Sequence, residues 1–173
     1  GQLIWSIELP GAMAGTPLLS ADQETLYVGN FDYSLYALDP ATGQQRWKVE
    51  SENWIWSQPV LAGEKLFFGD LGGYLYAVDP GSGELLWSQQ VADAIRGEPA
   101  YDAVTGRLYV AGRKVANPGN ISTRGIVMAL DTATYRSVWE QATTEAVYTS
   151  PVLSGDLLLV TPAQGDVLLQ TFN

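Results

Sequence analysis

The side chains best suited to binding a ligand recur three positions before a proline. Trp56, Arg96 and Tyr148 occupy three such positions, and Ala14 occupies the fourth. Aromatic rings stack on planar groups, and a guanidinium pairs with anions and with aromatic faces. Together with nearby Trp54, these residues predict a site for a planar anionic ligand or for a side chain of a protein partner. The alternative is that they fill an opening and pack on one another.

A second candidate contact surface is an insertion between residues 113 and 124. Its length, about 12 residues, is typical of loops that carry a function. Arg113, Lys114 and Arg124 lie in it, and they are three of the nine basic residues in a chain of net charge −10. We therefore predict a loop that contacts a partner. The alternative is a solvent-exposed, partly disordered loop without such a contact.

Several kinds of catalysis are excluded by composition, because the chain has no histidine and no cysteine. A Ser–His–Asp triad, a Cys–His pair, a thiolate metal site and a disulfide are therefore impossible within one chain. Asp39, Asp79 and Asp131 have the sequence context of turn residues, and Asp32 and Asp70 lack the spacing of a known calcium loop. We expect no catalytic, cofactor-binding or metal-binding residue.

The charge also limits the class of partner. A net charge of −10 opposes binding to nucleic acid as the main partner. No apolar run reaches the roughly 18 residues of a membrane span, so we expect no direct membrane insertion. A protein partner of unknown identity is the class that remains.

A repeat of about 40 residues positions these candidates. Nearly the same stretch occurs at residues 37–47, 77–87 and 129–139. Each copy contains an aspartate turn and ends in a tryptophan, namely Trp47, Trp87 or Trp139. Trp5 ends a fourth copy that the chain termini divide. Asp followed by Pro, Thr or Ser and then Gly is typical of a tight turn between strands.

Each repeat contains four short strand-like runs, and no convincing amphipathic helix is present. Four antiparallel strands per repeat predict an all-β fold, a single β-propeller domain over residues 1–173 with four four-stranded blades. The blades are expected at about 10–50, 51–91, 92–142 and 143–173 plus 1–9. Strand parity places the aspartate turns on one face and both candidate contact surfaces on the other.

The pattern Ala-x-Asp-x-x-Thr/Ser-Gly-x-x-x-Trp resembles the tryptophan-docking motif of the PQQ-like (quinoprotein-type, BamB-like) β-propellers. The resemblance implies that each tryptophan packs against the alanine of its own motif and the glycine turn of the next blade. The residues that it assigns to docking are Trp5, Trp47, Trp87, Trp139, Ala37, Ala77, Ala129, Gly43 and Gly83. Tyr135 replaces the glycine of the third copy, and we expect strain there.

The same resemblance implies a non-catalytic protein-interaction scaffold of the bacterial cell envelope, periplasmic or extracellular, either by itself or as a module of a larger envelope protein. The alternative is a small-molecule-binding sensor or a quinoprotein-type oxidoreductase domain. Enzymes of the family typically carry a vicinal cysteine pair beside the quinone, and this chain has no cysteine. We therefore expect neither enzymatic activity nor a bound cofactor.

The division of the fourth copy raises the question of ring closure. A strand at residues 2–8 would complete the last blade, either within one chain or between two chains. The first arrangement gives a four-bladed ring, and the second gives a homodimer with eight blades. Because the step from Trp139 through the terminus to Trp5 is again about 40 residues, we expect closure within the chain.

Overall fold

Short runs of β-branched, aromatic and leucine residues form antiparallel sheets throughout the chain. The computed structural model describes residues 1–115, 123–163 and 168–171, and it contains fifteen strands there and no helix. Each sheet is built from strands that follow one another along the chain, as expected for a blade. No helix long and apolar enough to cross a membrane occurs in these three ranges.

The fifteen strands divide into three four-stranded sheets and one three-stranded sheet, here called blades 1 to 4. Blade 1 contains β1 (Leu18–Leu19), β2 (Leu26–Asn30), β3 (Ser34–Leu38) and β4 (Gln45–Glu50). Blade 2 contains β5 (Val60–Ala62), β6 (Lys65–Gly69), β7 (Tyr74–Val78) and β8 (Leu85–Gln90). Blade 3 contains β9 (Ala100–Asp102), β10 (Arg107–Val115), β11 (Thr123–Asp131) and β12 (Ser137–Thr143). Blade 4 contains β13 (Val152–Ser154), β14 (Leu157–Val160) and β15 (Leu168–Thr171).

The hydrophobic core lies between consecutive blades. Side chains alternate along each strand, so every inner strand has one apolar set facing the preceding blade and another facing the next. Between blades 1 and 2, Tyr27 and Leu35 pack in one cluster with Leu66 and Phe68. Equivalent clusters join blade 2 to blade 3 and blade 3 to blade 4. Each fully buried leucine or phenylalanine contributes about 1.5–3 kcal/mol to these interfaces.

A docked tryptophan closes the joint between blades 1 and 2. Trp47 lies opposite Ala37 in the antiparallel register of its own blade. Its indole N–H donates to the carbonyl of Pro80, with 3.1 Å between Nε1 and O. A Cβ placed on Gly83 would lie 2.7 Å from Cδ2 and Cε3 of Trp47, so only glycine fits beneath the ring. This is the geometry that the motif implies.

The joint between blades 2 and 3 has a different chemistry, because Tyr135 stands in place of the glycine. Its backbone is left-handed, with a φ of 58°. Its ring stacks on Trp87, with 5.2 Å between centroids and an interplanar angle of 5°. The ammonium of Lys65 lies 4.5 Å from the centroid of the Tyr135 ring. The strain expected at this position is therefore accompanied by a stack and a cation–π contact that glycine lacks.

The predicted strand at residues 2–8 is not formed. These residues carry no strand pairing, and the ladder of blade 4 ends at β15. Trp5 instead docks on blade 1, where its indole N–H donates to the carbonyl of Pro40 at 2.9 Å and its ring covers Gly43. This docking is the one that the motif implies for Trp5, but the segment adds no strand to blade 4, and the described sheets are not closed into a ring.

The predicted insertion loop is also shorter than expected, because both flanking strands continue into it. Lys114 pairs with Arg124, and Arg113 pairs with Gly125, in the ladder between β10 and β11. The three basic residues of this region therefore belong to strands rather than to a loop. Residues 116–122, the middle of the predicted loop, lie outside the described residues.

Candidate functional site

Five side chains from successive chain segments form a continuous row on one face of the blades. We call Trp54, Phe31, Trp56, Arg96 and Tyr148 the aromatic–arginine row. Phe31 stacks on Trp54 with 5.0 Å between ring centroids and 12° between ring planes. The same Phe31 ring lies 5.4 Å from that of Trp56, tilted by 32°. One phenylalanine therefore bridges the two tryptophans.

Arg96 continues the row towards blade 4. Its guanidinium carbon lies 5.5 Å from the ring centroid of Trp56 and 4.7 Å from that of Tyr148. Both distances are in the range of cation–π contacts. The structure thus brings together the three residues that precede the prolines and the predicted Trp54, and it adds Phe31.

The connectors between blades hold the row in place. Each connector inserts one fully buried aliphatic residue below the row, and these are Ile55, Ile95 and Val147. A Cβ on Gly29 would lie 2.4 Å from Cγ2 of Ile55, and one on Gly69 would lie 2.5 Å from Cγ2 of Ile95. The glycine that ends the second strand therefore leaves room for the next connector. This packing fixes the backbone on both sides of Trp56 and Arg96.

A buried carboxylate supports the tryptophan end of the row. Asp70 is fully buried and accepts hydrogen bonds from the backbone N–H groups of Asn53 and Tyr74 and from the Tyr76 hydroxyl, at 2.9–3.0 Å. Burial raises the pKa of Asp70 above its usual value, although these donors act in the opposite direction. Because Asn53 directly precedes Trp54, the network anchors the segment that carries this tryptophan.

The row is exposed where a partner would reach it. Trp54 retains 42% of its surface and Trp56 retains 39%, and Arg96 is exposed. Within the described part of the chain, Arg96 makes no ion pair. Its guanidinium therefore contacts two ring faces and is otherwise open to solvent. Such a surface can hold a carboxylate or another anion at Arg96 and a flat or apolar group against the tryptophans.

Sequence reasoning missed Phe31, although a signal for it was present. Phe31 lies in the turn after the second strand of blade 1, and strand parity places that turn on the same face as the connectors. Arg113, Lys114 and Arg124 lie at the hairpin end of β10 and β11, where Arg113 forms a β-bridge with Ala94 in the connector that carries Arg96. Lys114 and Arg124 instead line a separate cavity of about 370 Å³ with Glu140.

The described residues offer no group of three or more acidic side chains able to hold a metal ion.

The aspartates of the tight turns stabilise the turns through hydrogen bonds to the backbone. Asp39 Oδ1 accepts from the N–H groups of Ala41 and Thr42, at 2.9 and 3.0 Å. Arg46 pairs with the other oxygen at 2.9 Å and holds the pKa of Asp39 at about 2.

Comparison with known proteins bears on this arrangement of blades. The family model described as outer membrane protein assembly factor BamB matches residues 1–71 and 71–173, and so the whole chain. The chain belongs to this family. No curated protein matches the sequence.

Solved structures similar to this BamB-family chain include natural and designed proteins. BamB from Moraxella catarrhalis superposes with a TM-score of 0.78 at 21% identity, over 97% of this chain and 49% of that chain. The computationally designed Ika4 protein superposes with a TM-score of 0.77 at 15% identity, over 100% of this chain and 99% of that one. The quinohemoprotein alcohol dehydrogenase from Comamonas testosteroni gives a TM-score of 0.72 at 15% identity, over 87% and 29%.

These superpositions show only that the chain has a propeller-type fold, because all three sequence identities are low. The chain spans about half the length of the BamB chain that it matches. Neighbours on this fold include both an assembly factor and oxidoreductases, so the fold by itself does not choose between them.

Proposed function

We propose that this BamB-family chain is a non-catalytic protein-interaction scaffold of the bacterial cell envelope, in the periplasm or outside the cell. The aromatic–arginine row is its contact surface. The observation that carries the proposal is a Trp–Phe–Trp cluster with both tryptophans exposed, continued by an arginine that makes no ion pair with the described residues. Trp, Tyr and Arg are the residues that contribute most to protein interfaces. Family membership supports the location and the scaffold role.

The row also indicates the chemistry of the partner. Arg96 offers a guanidinium whose flanking rings already orient it, so a partner carboxylate can bind without displacing another acid. The tryptophan end offers flat apolar surface to an aromatic or aliphatic side chain. The whole chain carries a net charge of −10, which favours partners with positive surface around that carboxylate.

Paired arginine variants test this role. Wild type, Arg96→Ala and Arg136→Ala are immobilised and exposed to a bacterial envelope extract, and the retained proteins are identified by mass spectrometry. Arg136 is exposed in the turn before β12, so its loss makes the same change in charge at a distance from the row. We expect a partner that wild type and Arg136→Ala retain equally and that Arg96→Ala binds about tenfold more weakly.

Trp56→Ala should weaken the same partner, because it removes the ring between Phe31 and Arg96. Circular dichroism of each variant verifies that it is folded. Equal retention by all four proteins, or no specifically retained protein, would contradict the proposal.

A second candidate function is the binding of a planar anionic small molecule, such as a quinone cofactor. It is favoured by Arg96 lying over two aromatic faces, because a flat carboxylated ring could stack beside it. Incubation with PQQ followed by desalting tests it through the absorption spectrum. Quinone retained by wild type and lost from Trp56→Ala would support this candidate, and quinone absent from both would exclude it for PQQ.

A further inference from the structure

The inner hairpin of blade 3 is taller than that of blade 2. Tyr109 pairs with Ala129 in blade 3 as Phe67 pairs with Ala77 in blade 2, so these pairs mark the same level of the two sheets. β10 extends six residues past this level, whereas β6 extends only two. The end of the blade 3 hairpin therefore rises above its neighbour.

Five residues share one side of this taller part of blade 3. Lys114 lies directly opposite Arg124 in the ladder between β10 and β11. Ile126 lies opposite Ala142 in the ladder between β11 and β12, and Glu140 is two residues from Ala142. Opposed residues of an antiparallel ladder share a side of the sheet, as do residues two apart. This side is turned towards blade 2, because Ile126 belongs to the buried cluster between blades 2 and 3.

A cavity of about 370 Å³ lies over this side of the sheet. The five residues line it together with Val115 and Gly125. A volume of this size is typical of sites for small ligands. Glu140 lies opposite Met128, four residues along β11 from Arg124, which is roughly 13 Å of strand. The cavity therefore has a basic end and an acidic end, with an apolar floor between them.

The two cations at the basic end have no counterion among the described residues. Like charges directly opposite each other destabilise a sheet, and acidic residues outnumber basic ones by 19 to 9 in this chain. Nevertheless, Lys114 and Arg124 form no ion pair there, and residues 116–122 contain no acid. The carboxylate of Asp93, on the adjoining connector, accepts the N–H of Val115 at 2.6 Å. An anion bound between the two cations would remove their repulsion.

A phosphate suits this pair of cations better than a single carboxylate does. A phosphate monoester carries about two negative charges at pH 7 and has three acceptor oxygens, so one group can pair with both side chains. The guanidinium of Arg124 can bind two of these oxygens, and the ammonium of Lys114 acts as a point charge beside it. At the other end, the carboxylate of Glu140 accepts hydrogen bonds and favours a ligand group that donates them.

We propose that this cavity binds a small phosphate ester. Its phosphate lies between Lys114 and Arg124, its carbon chain lies over Ile126 and Ala142, and an ammonium or hydroxyl group at its far end contacts Glu140. The site is formed by blade 3 alone and is separate from the aromatic–arginine row. It therefore does not depend on the function proposed for that row.

The first experiment is an NMR titration of the backbone amide signals with three probes: inorganic phosphate, propyl phosphate and 3-aminopropyl phosphate. We expect saturable shifts centred on residues 124–126 and 140–142. Lys114→Gln and Arg124→Gln should each weaken binding of all three probes about tenfold, because each removes charged hydrogen bonds. Arg136→Gln makes the same change in charge at an exposed turn residue and should leave the affinities at the wild-type values.

The second experiment tests the acidic end of the cavity. Wild type should bind 3-aminopropyl phosphate about fivefold more tightly than propyl phosphate, because only the first probe offers an ammonium group to Glu140. Glu140→Gln should bind the two esters equally. Equal binding by wild type, or a preference that survives in Glu140→Gln, would overturn the orientation of the ligand.

The third experiment separates loss of binding from loss of folding. Arg124→Glu replaces the like-charged pair with Lys114 by an ion pair across the strands, so the urea midpoint should stay the same or rise. The same variant should show no phosphate binding. A variant that still binds the three probes as wild type does would overturn the proposal.

The source of the ester is tested with lipid vesicles. Sedimentation with phosphatidylethanolamine vesicles presents the same aminoalkyl phosphate chemistry as a lipid headgroup. Binding of the soluble ester without sedimentation identifies a free ligand. Sedimentation of wild type that Arg124→Glu abolishes identifies a headgroup. If wild type gives no saturable shifts with any probe and does not sediment, or if the shifts centre on the aromatic–arginine row, the assignment of this cavity is wrong.

Discussion

Replacing Gly83 by alanine is expected to open the joint between blades 1 and 2. The added Cβ would lie 2.7 Å from two ring carbons of Trp47, which is closer than van der Waals contact allows. The backbone φ of +75° at Gly83 is also unfavourable for any residue with a Cβ. The turn cannot retreat easily, because the Gly83 N–H donates to the carbonyl of Asp79 at 2.9 Å. Trp47 must therefore move.

Two contributions set the size of the effect. The left-handed conformation costs alanine about 1–2 kcal/mol. Trp47 is 9% exposed, and complete loss of such a buried tryptophan costs about 3–5 kcal/mol. Because alanine displaces the ring rather than deleting it, the full tryptophan cost is an upper bound. We expect the free energy of unfolding to fall by about 2–5 kcal/mol.

Two other glycine variants separate these contributions in urea denaturation followed by circular dichroism. Gly155 has a φ of +58° and open space around its missing Cβ, so Gly155→Ala reports backbone strain alone. Gly81 lies in the same turn as Gly83, and its added Cβ would meet only an Asp79 oxygen at 3.4 Å. Gly81→Ala should therefore be close to neutral. If Gly83→Ala costs no more than Gly155→Ala, the docking of Trp47 on the turn has been misjudged.

Three further outcomes are expected in other parts of the molecule. Tyr135→Gly relieves the positive φ but deletes the ring stacked on Trp87, and it should lower the free energy of unfolding by about 1–3 kcal/mol in urea; a gain in stability would contradict this. Tyr76→Phe removes the hydroxyl that donates to the buried carboxylate of Asp70. It should lower the free energy of unfolding by about 1–3 kcal/mol in the same assay, and an unchanged urea midpoint would contradict this. Arg46→Gln should raise the pKa of Asp39 from about 2 towards its ordinary value in an NMR titration. The pKa of Asp39 is lower in the folded protein than in the unfolded chain, so the ionised carboxylate stabilises the fold at any pH above its unfolded-state pKa. This stabilisation is lost as the pH falls through the folded-state pKa. Because the variant has a higher folded-state pKa, it should lose the stabilisation at a higher pH than wild type does.

The repeat made most of the architecture predictable. The resemblance to the tryptophan-docking motif assigned Trp47, Gly83 and Ala37 to one packing arrangement, and the structure has that arrangement. Turn chemistry is local, because the Asp39 carboxylate bonds N–H groups two and three residues away. Local rules of this kind can be read from a short stretch of sequence, which is why four antiparallel strands per repeat were predicted correctly for blades 1 to 3.

The errors occurred where the outcome depends on distant parts of the chain. Residues 2–8 have the pattern of a strand, but a strand needs a neighbouring edge from a distant part of the chain, and the segment pairs with no edge in the described sheets. The extension of β10 and β11 was missed because a long insertion can continue a hairpin as well as form a loop. Phe31 was not predicted because its contacts are with Trp54 and Trp56, which lie in the connector to the next blade.

The contacts between blades have a consequence for how such a chain can evolve. At each of these joints a tryptophan of one repeat packs on a turn of the next, so a blade contacts only its two neighbours. In linear arrays of this kind, stability is approximately a sum of unit and nearest-neighbour terms. Duplication of one genetic unit of about 40 residues would therefore create one new joint and leave the others unchanged. Tyr135 shows that a single joint can also exchange its chemistry while the flanking joints keep theirs.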